Sequence, residues 1–321
     1  MQTLLNIFYI VIFVSVIGSI FCILSLFITH VLHYTLPLWF LLCGMAFFCI
    51  PILSYDVLLV SPEKQNWLQG FYIACKIWIS GCGILLFYHT IRFILAKQAL
   101  KHYRLCRNAR LIKICSHCAN IIGLRKIPML YYGTLDSPIC VTGVIQPSII
   151  INQTVIEKLT DSELSAVFAH ELTHIKRKHL LYENIYRYVC VANWLNPFVW
   201  IAKADFSLHC EIDCDSATLK LLQGKIPKVE YASSIIRLLE LSTHKTPPSN
   251  MGIGALNFIL AKRRIQKIAT PRSKFNTQIA TVVLVICFVL IVIWSLQLSR
   301  EYFYPYPAYQ TETEYREGYN E

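Results

Sequence analysis

Four apolar runs dominate the chain: Leu4 to Ile28, Leu36 to Leu53, Phe71 to Leu95 and Gln278 to Leu298. Each is long enough to cross the roughly 30 Å of hydrocarbon in a bilayer. Backbone polar groups find no water there, so each run is expected as a helix that satisfies its own hydrogen bonds. With 321 residues, 55% hydrophobic and 15% charged, the chain is too apolar for an ordinary soluble domain and too long for a simple anchor. The first run carries neither a basic leader nor a small-residue cleavage site, so it reads as a retained span rather than a signal peptide. Lys76 and Arg92 fall near the ends of the third run, where long side chains snorkel to the interface.

Lys and Arg near the span ends set the orientation. The stretch from Lys97 to Thr277 holds 25 basic and 12 acidic side chains, which places it in the cytoplasm. The loop from Tyr55 to Gly70 is slightly acidic, and the tail from Ser299 to Glu321 has two basic against five acidic residues, so both are expected outside, as is the N-terminus. The expected plan is therefore three spans in 1–96, a cytoplasmic domain in 97–277, a fourth span in 278–298 and a short external tail in 299–321. The net charge of +11 follows from this positive-inside pattern and argues against direct nucleic-acid binding. A lipid bilayer is the first expected partner, and homo-oligomerisation is compatible with the plan. Thirteen cysteines, an odd number, argue for reduced thiols, and the pair Cys115 and Cys118 lacks a second pair at zinc-knuckle spacing.

Within 97–277 a basic linker helix is expected first. Short strands follow in "MLYYGTLDSPICVTGVIQPSIIIN", where β-branched residues are interrupted by Gly133, Pro138, Gly143 and Pro147. In "LTDSELSAVFAHELTHIKRK", Thr160 with Glu163 three residues later is a capping box that opens a helix. Leu164, Val167, Phe168, Glu171 and Leu172 recur in it at helical spacing. A second helix opens at Asn196 and Pro197 and is expected to close by Gly224 and Pro227. The aromatic stretch between them is expected to pack on the domain or lie in the bilayer interface.

On the first helix, His170 and His174 stand four residues apart, about 40° around the axis, so both can aim a ring nitrogen at one metal. Glu171 is turned roughly 100° from His170, close enough to act on water as a general base without being a ligand. Zinc needs a third protein ligand, leaving the fourth position for water. Glu211 in "HCEIDCD", 37 residues past His174, is the best candidate. Asp215, one turn on, can accept a hydrogen bond from a ligand histidine and fix its tautomer. His209, Asp213 and His179 compete for the third position. A helix presenting Glu211 turns His209 and Asp213 away, and His179 follows a Lys-Arg-Lys run that reads as solvated or headgroup-facing. Tyr131, Tyr132, Tyr182 and Tyr186 are candidates to stabilise an oxyanion, and nothing ranks them. The strands from Ile139 to Ile151 offer an edge to an extended substrate.

The segments "LTDSELSAVFAHELTHIKRKHLLYENI", "WLNPFVWIAKADFSLHCEIDCDSATL", "SPICVTGVIQPSIIIN" and "LAKRRIQKI" together resemble the membrane-embedded antirepressor metallopeptidases of the BlaR/MecR type. The resemblance implies an α-helical multi-pass membrane protein with a cytoplasmic α+β, gluzincin-like domain between spans three and four. It implies one Zn²⁺ on His170, His174 and Glu211, with Glu171 as catalytic base and Asp215 behind the ligands. It also implies a protein substrate, a DNA-binding repressor or the protease's own loop; Arg263 and Arg264 could mark such a self-cleavage region, although a helix of solvated or headgroup-facing charge explains them better. The tail, 23 residues past Leu298 and without a serine-x-x-lysine motif, is not expected to sense β-lactams directly. Two other functions fit the same sequence: housekeeping proteolysis of membrane proteins, and a non-catalytic zinc-binding scaffold. A structural zinc would need no base at Glu171 and would normally be closed by four ligands, which argues against the scaffold.

Overall fold

The computed structural model describes residues 2–30, 36–48, 65–133, 138–222, 227–243 and 261–269, with the isolated positions 282, 286 and 289. It divides into two compact units, Met1–Thr35 with Cys43–Gly81 and Ser273–Glu321, and Leu36–Leu42 with Cys82–Arg272. The first run lies in α1 (Gln2–His30) and the third in α3 (Gln65–His102); α2 (Leu38–Phe47) covers part of the second. Tyr72–His102 is long and apolar enough to cross a membrane. The fourth run lies outside the described residues apart from three positions.

In the first unit, Gly44 of α2 allows a close helix contact: a Cβ there would stand 2.2 Å from the ring of Phe21 on α1. Small residues permit this approach between apolar helices, where dispersion rather than water exclusion holds them together. The rings of Phe8 and Trp78 meet with centroids 5.5 Å apart.

The second unit begins differently from the expected linker. After α3 come a two-residue strand, β1 (Arg104–Leu105), and α4 (Ala109–Ile122). Asn108 caps α4 by accepting from the backbone N–H of Arg110 and Leu111, and Gly123, in the left-handed region, ends it. Leu111, Cys115, Cys118 and Ala119 line one face of α4 and are buried, so the helix is a wall of the core rather than a linker. Burial pushes the Cys115 thiol up to about 12, the property of an inert core cysteine.

Three strands follow: β2 (Met129–Tyr132), β3 (Ile139–Thr142) and β4 (Ser148–Ile151). The sheet order is β1-β2-β4-β3, with β2 parallel and β3 antiparallel to β4. β3 is thus an edge strand. Gly143 follows it at φ 86°, and a Cβ there would lie 2.6 Å from the Gln146 carbonyl oxygen, so the turn into β4 needs a glycine.

After a single turn, α5 (Gln153–Ile156), the chain enters α6 (Asp161–Lys176). Thr160 and Glu163 form both halves of the capping box. Leu164, Phe168 and Leu172 of α6 are fully buried with Ile149 and Ile151 of the sheet and the inner face of α4. Three further helices complete the unit: α7 (His179–Ala192), α8 (Pro197–Leu221) and α9 (Lys228–Thr243), with a helical segment at 261–269. Asn196 caps α8 and Pro197 occupies its first turn. The proposed stop at Gly224 lies outside the described residues. Tyr186 of α7 and Phe206 of α8, both buried, meet with ring centroids 5.4 Å apart.

The capping box fixes where α6 starts and hence which side chains face α8. Replacing Thr160 with Ala leaves the Glu163 N–H without its side-chain cap and is expected to cost about 1 kcal/mol. That corresponds to a fall in melting temperature of about 2–4 °C for a unit of this size. A variant melting with wild type in a thermal unfolding scan would refute the assignment.

Candidate metal centre

α6 crosses α8 where each helix exchanges its apolar residues for polar ones. α6 presents His170 and His174, one turn apart; α8 presents Glu211 and Asp215, also one turn apart. His170 Nε2 lies 3.2 Å from His174 Nε2. Glu211 completes the triangle, Oε2 at 3.3 Å from His170 Nε2 and Oε1 at 3.3 Å from His174 Nε2. A tetrahedral zinc with bonds of about 2.0–2.1 Å requires ligand atoms about 3.3 Å apart, so this donor set fits that ion. His170 is 7% exposed.

The opposite nitrogen of His170 faces a second layer. Its Nδ1 is 3.1 Å from Asp215 Oδ1, to which the Tyr231 hydroxyl of α9 also donates at 2.7 Å. Arg264, on the segment 261–269, forks onto the same carboxylate, Nε to Oδ2 at 2.8 Å and Nη2 to Oδ1 at 2.7 Å. Its Nη1 reaches Glu211 Oε2 at 3.0 Å. Burial alone would raise both acids, yet the opposing charges win. Hydrogen bonds from His170 and His174 hold Glu211 well below the usual carboxylate range, and Arg264 does the same for Asp215. Burial would lower His170, but Asp215 and Glu211 override it and raise this ring to about 9. The two acids thus favour a proton on His170.

Glu171 sits on the same helix, and burial raises its carboxyl despite the two histidines. α6 packs against β3 at this level. The Cys140 thiol of β3 is pushed up to about 11, by burial first and then by Glu171. Glu171 and β3 are thus neighbours.

The sequence matches the family described as BlaR1 peptidase M56 over residues 57–268. The chain belongs to that family. It is 27% identical over 237 residues to the methicillin resistance mecR1 proteins of Staphylococcus aureus and Staphylococcus epidermidis, covering 71% of this chain and 39% of theirs. It is 25% identical over 192 residues to regulatory protein BlaR1 of Bacillus licheniformis, covering 56% of this chain and 32% of that protein. The chain thus spans well under half the length of these curated relatives.

Two sequence expectations are corrected here. His179 is 1% exposed rather than solvated or headgroup-facing. Lys178 adopts the left-handed conformation, φ 57°, and this turn folds the next residue back beneath α6. Its Nδ1 lies 3.2 Å from His174 Nδ1. Burial, together with His174 and Arg177, lowers this ring to about 3, so it is neutral. Arg264 is not a solvated charge either. Arg263 beside it is exposed, while Arg264 turns inward to the two acids. The remaining competitors point away from the triangle: His209 Nδ1 lies 2.9 Å from the Asp205 carbonyl oxygen, and Asp213 pairs with Arg177. Among the tyrosines, Tyr186 is buried against Phe206 and the Tyr131 hydroxyl contacts Met129 Sδ. The hydroxyl at the centre is that of Tyr231, which carried no signal at sequence level because no motif spacing includes it.

Removing Arg264 as Arg264→Met leaves Asp215 buried and without its cation. The loss expected for breaking such a pair is about 3–5 kcal/mol, read as a large drop in melting temperature. The pH dependence has a definite sign. Stability from protonated His170 is fully present below its ordinary pKa of about 6.5 and is lost as pH rises through about 9. Melting of chelator-treated protein should therefore fall between these limits, and a profile flat across that window would contradict the arrangement.

Proposed function

We propose that this chain is a zinc-dependent endopeptidase of the membrane that cleaves a regulatory protein on the cytoplasmic side. The observation that carries the reading is the triangle of His170, His174 and Glu211 donors, 3.2–3.3 Å on a side, with Glu171 on the same helix. These three residues would hold the ion, and Asp215 would orient His170. When bound, zinc polarises a carbonyl and makes water acidic enough to be deprotonated near neutral pH.

The protein's own residues supply the rest. Glu171, with its carboxyl raised by burial, takes a proton from the attacking water and returns it to the departing amine. β3, last in the sheet order among the described residues and beside this base, receives the substrate as an added strand, whose backbone hydrogen bonds place the scissile carbonyl. Arg264 and Tyr231 keep the second layer charged and rigid, so the ligand geometry is set before substrate arrives.

The location follows from the sequence. The apolar helix Tyr72–His102 supports a membrane protein, and the 25 basic against 12 acidic residues between Lys97 and Thr277 support a cytoplasmic 97–277 domain. The names of the relatives, a methicillin resistance protein and a regulatory protein, favour regulated cleavage over housekeeping. The substrate we favour is a DNA-binding repressor, the chain's own loop, or both.

The full chain in detergent should bind one zinc. Glu171→Gln should keep that zinc and lose about 10²–10⁴-fold in cleavage of a candidate repressor or of itself. Wild type that is zinc-loaded but inert toward both, in the presence of inducers, would point to a scaffold instead.

A further inference from the structure

We infer that His179 is the positioning residue for His174, accepting the hydrogen bond that fixes the tautomer of this ligand. The inference rests on the metal-centre reading above and deepens it. A neutral histidine that offers Nε2 to a metal carries its proton on Nδ1, and that proton must be donated. For His170 the acceptor is Asp215. For His174, Nδ1 faces His179 Nδ1 at 3.2 Å, a ring that is 1% exposed.

The remaining protons of the row follow from this assignment. If His179 accepts at Nδ1, its own proton is on Nε2. Among the described residues that atom has no hydrogen-bond partner, and Asp213 Oδ2 stands 3.8 Å away. Asp213 is itself neutralised by Arg177. Cys214 Sγ stands 3.4 Å from the same Nδ1, and as a neutral thiol it adds no charge to the row. No charge is left over along the row His174, His179, Asp213, Arg177.

The two ligand histidines are thus supported unequally. A carboxylate behind His170 makes that ring the more electron-rich donor, whereas the imidazole behind His174 carries no charge. This difference leaves Glu211 and His170 as the strong donors and His174 as the weaker, more exchangeable one.

The same atoms allow another arrangement, because His174, His179 and Cys214 donors lie within 4.8 Å of one another and could hold a second ion. Filling it together with the first site would strip His174 of both protons. It would also need a thiolate at Cys214, which is fully buried beside Glu211, Glu171 and Asp215, a setting that pushes the thiol far up. The hydrogen bond requires neither.

The test uses the full chain in detergent, loaded with zinc or cobalt(II) and titrated against a chelator. His179→Phe, which fills the space without an acceptor, should weaken metal binding about 10–100-fold and shift the cobalt d–d bands. His179→Asn, whose amide oxygen falls where Nδ1 was, should stay within a few-fold of wild type, and His179→Gln, whose oxygen falls at the other ring position, should not. This Asn and Gln pair decides the matter even if the phenylalanine variant misfolds. Cys214→Ser should leave stoichiometry and spectrum unchanged. Equal affinity in wild type and His179→Phe, or indistinguishable Asn and Gln variants, would overturn the positioning role while leaving the metal centre intact. A second metal equivalent with a thiolate-to-cobalt band lost in Cys214→Ser would replace it with the second site. Wild type that binds no metal would remove both readings.

Discussion

Charges brought into a helix crossing must be balanced there, and that constraint organises the second unit. Two imidazoles, Glu211 and Asp215 meet where α6 crosses α8, with Asp215 2% exposed. An isolated buried carboxylate is too costly to keep ionised, so the fold brings a counter-charge. Arg264 supplies it from the far end of the unit, and its fork geometry serves two acids at once. The apolar contacts of α4, α6 and the sheet hold the helices in place, but the crossing is permitted only because the charges cancel.

The same balance sets the protonation of the centre. Without metal, His170 holds a proton on a face that looks at two carboxylates. On the proposed reading a divalent cation would take the place of that proton and meet the same partners, at a triangle that His170, His174 and Glu211 already form. Glu171 lies outside this exchange. Burial keeps its proton affinity high despite His174, His170 and Arg264 nearby.

Much of this was legible in the residues, and for local reasons. Capping boxes, the four-residue histidine spacing and the four-residue step from Glu211 to Asp215 are short-range signals, and a helix converts them directly into shared faces. The strands were legible for the same reason, through glycine and proline breaks. What escaped was set by tertiary contact. "AKRRIQ" reads as a charge run whichever arginine turns inward, and only packing separates exposed Arg263 from Arg264. His179 was misread because three basic residues precede it, although a single left-handed residue, Lys178, reverses its direction. α4 was misread because its basic residues drew attention from the apolar stripe Leu111, Cys115, Ala119.

Arg264 is 49 residues beyond the carboxylate it neutralises. Closing a loop of that length carries an entropic penalty that grows only slowly with span, so the contact is affordable, but it is non-local and therefore formed late. On the ribosome the histidines and both acids emerge well before their cation, since chains are made from the N-terminus. The centre is therefore electrostatically incomplete through most of synthesis, and it matures only when the segment leading to the last apolar run has been delivered.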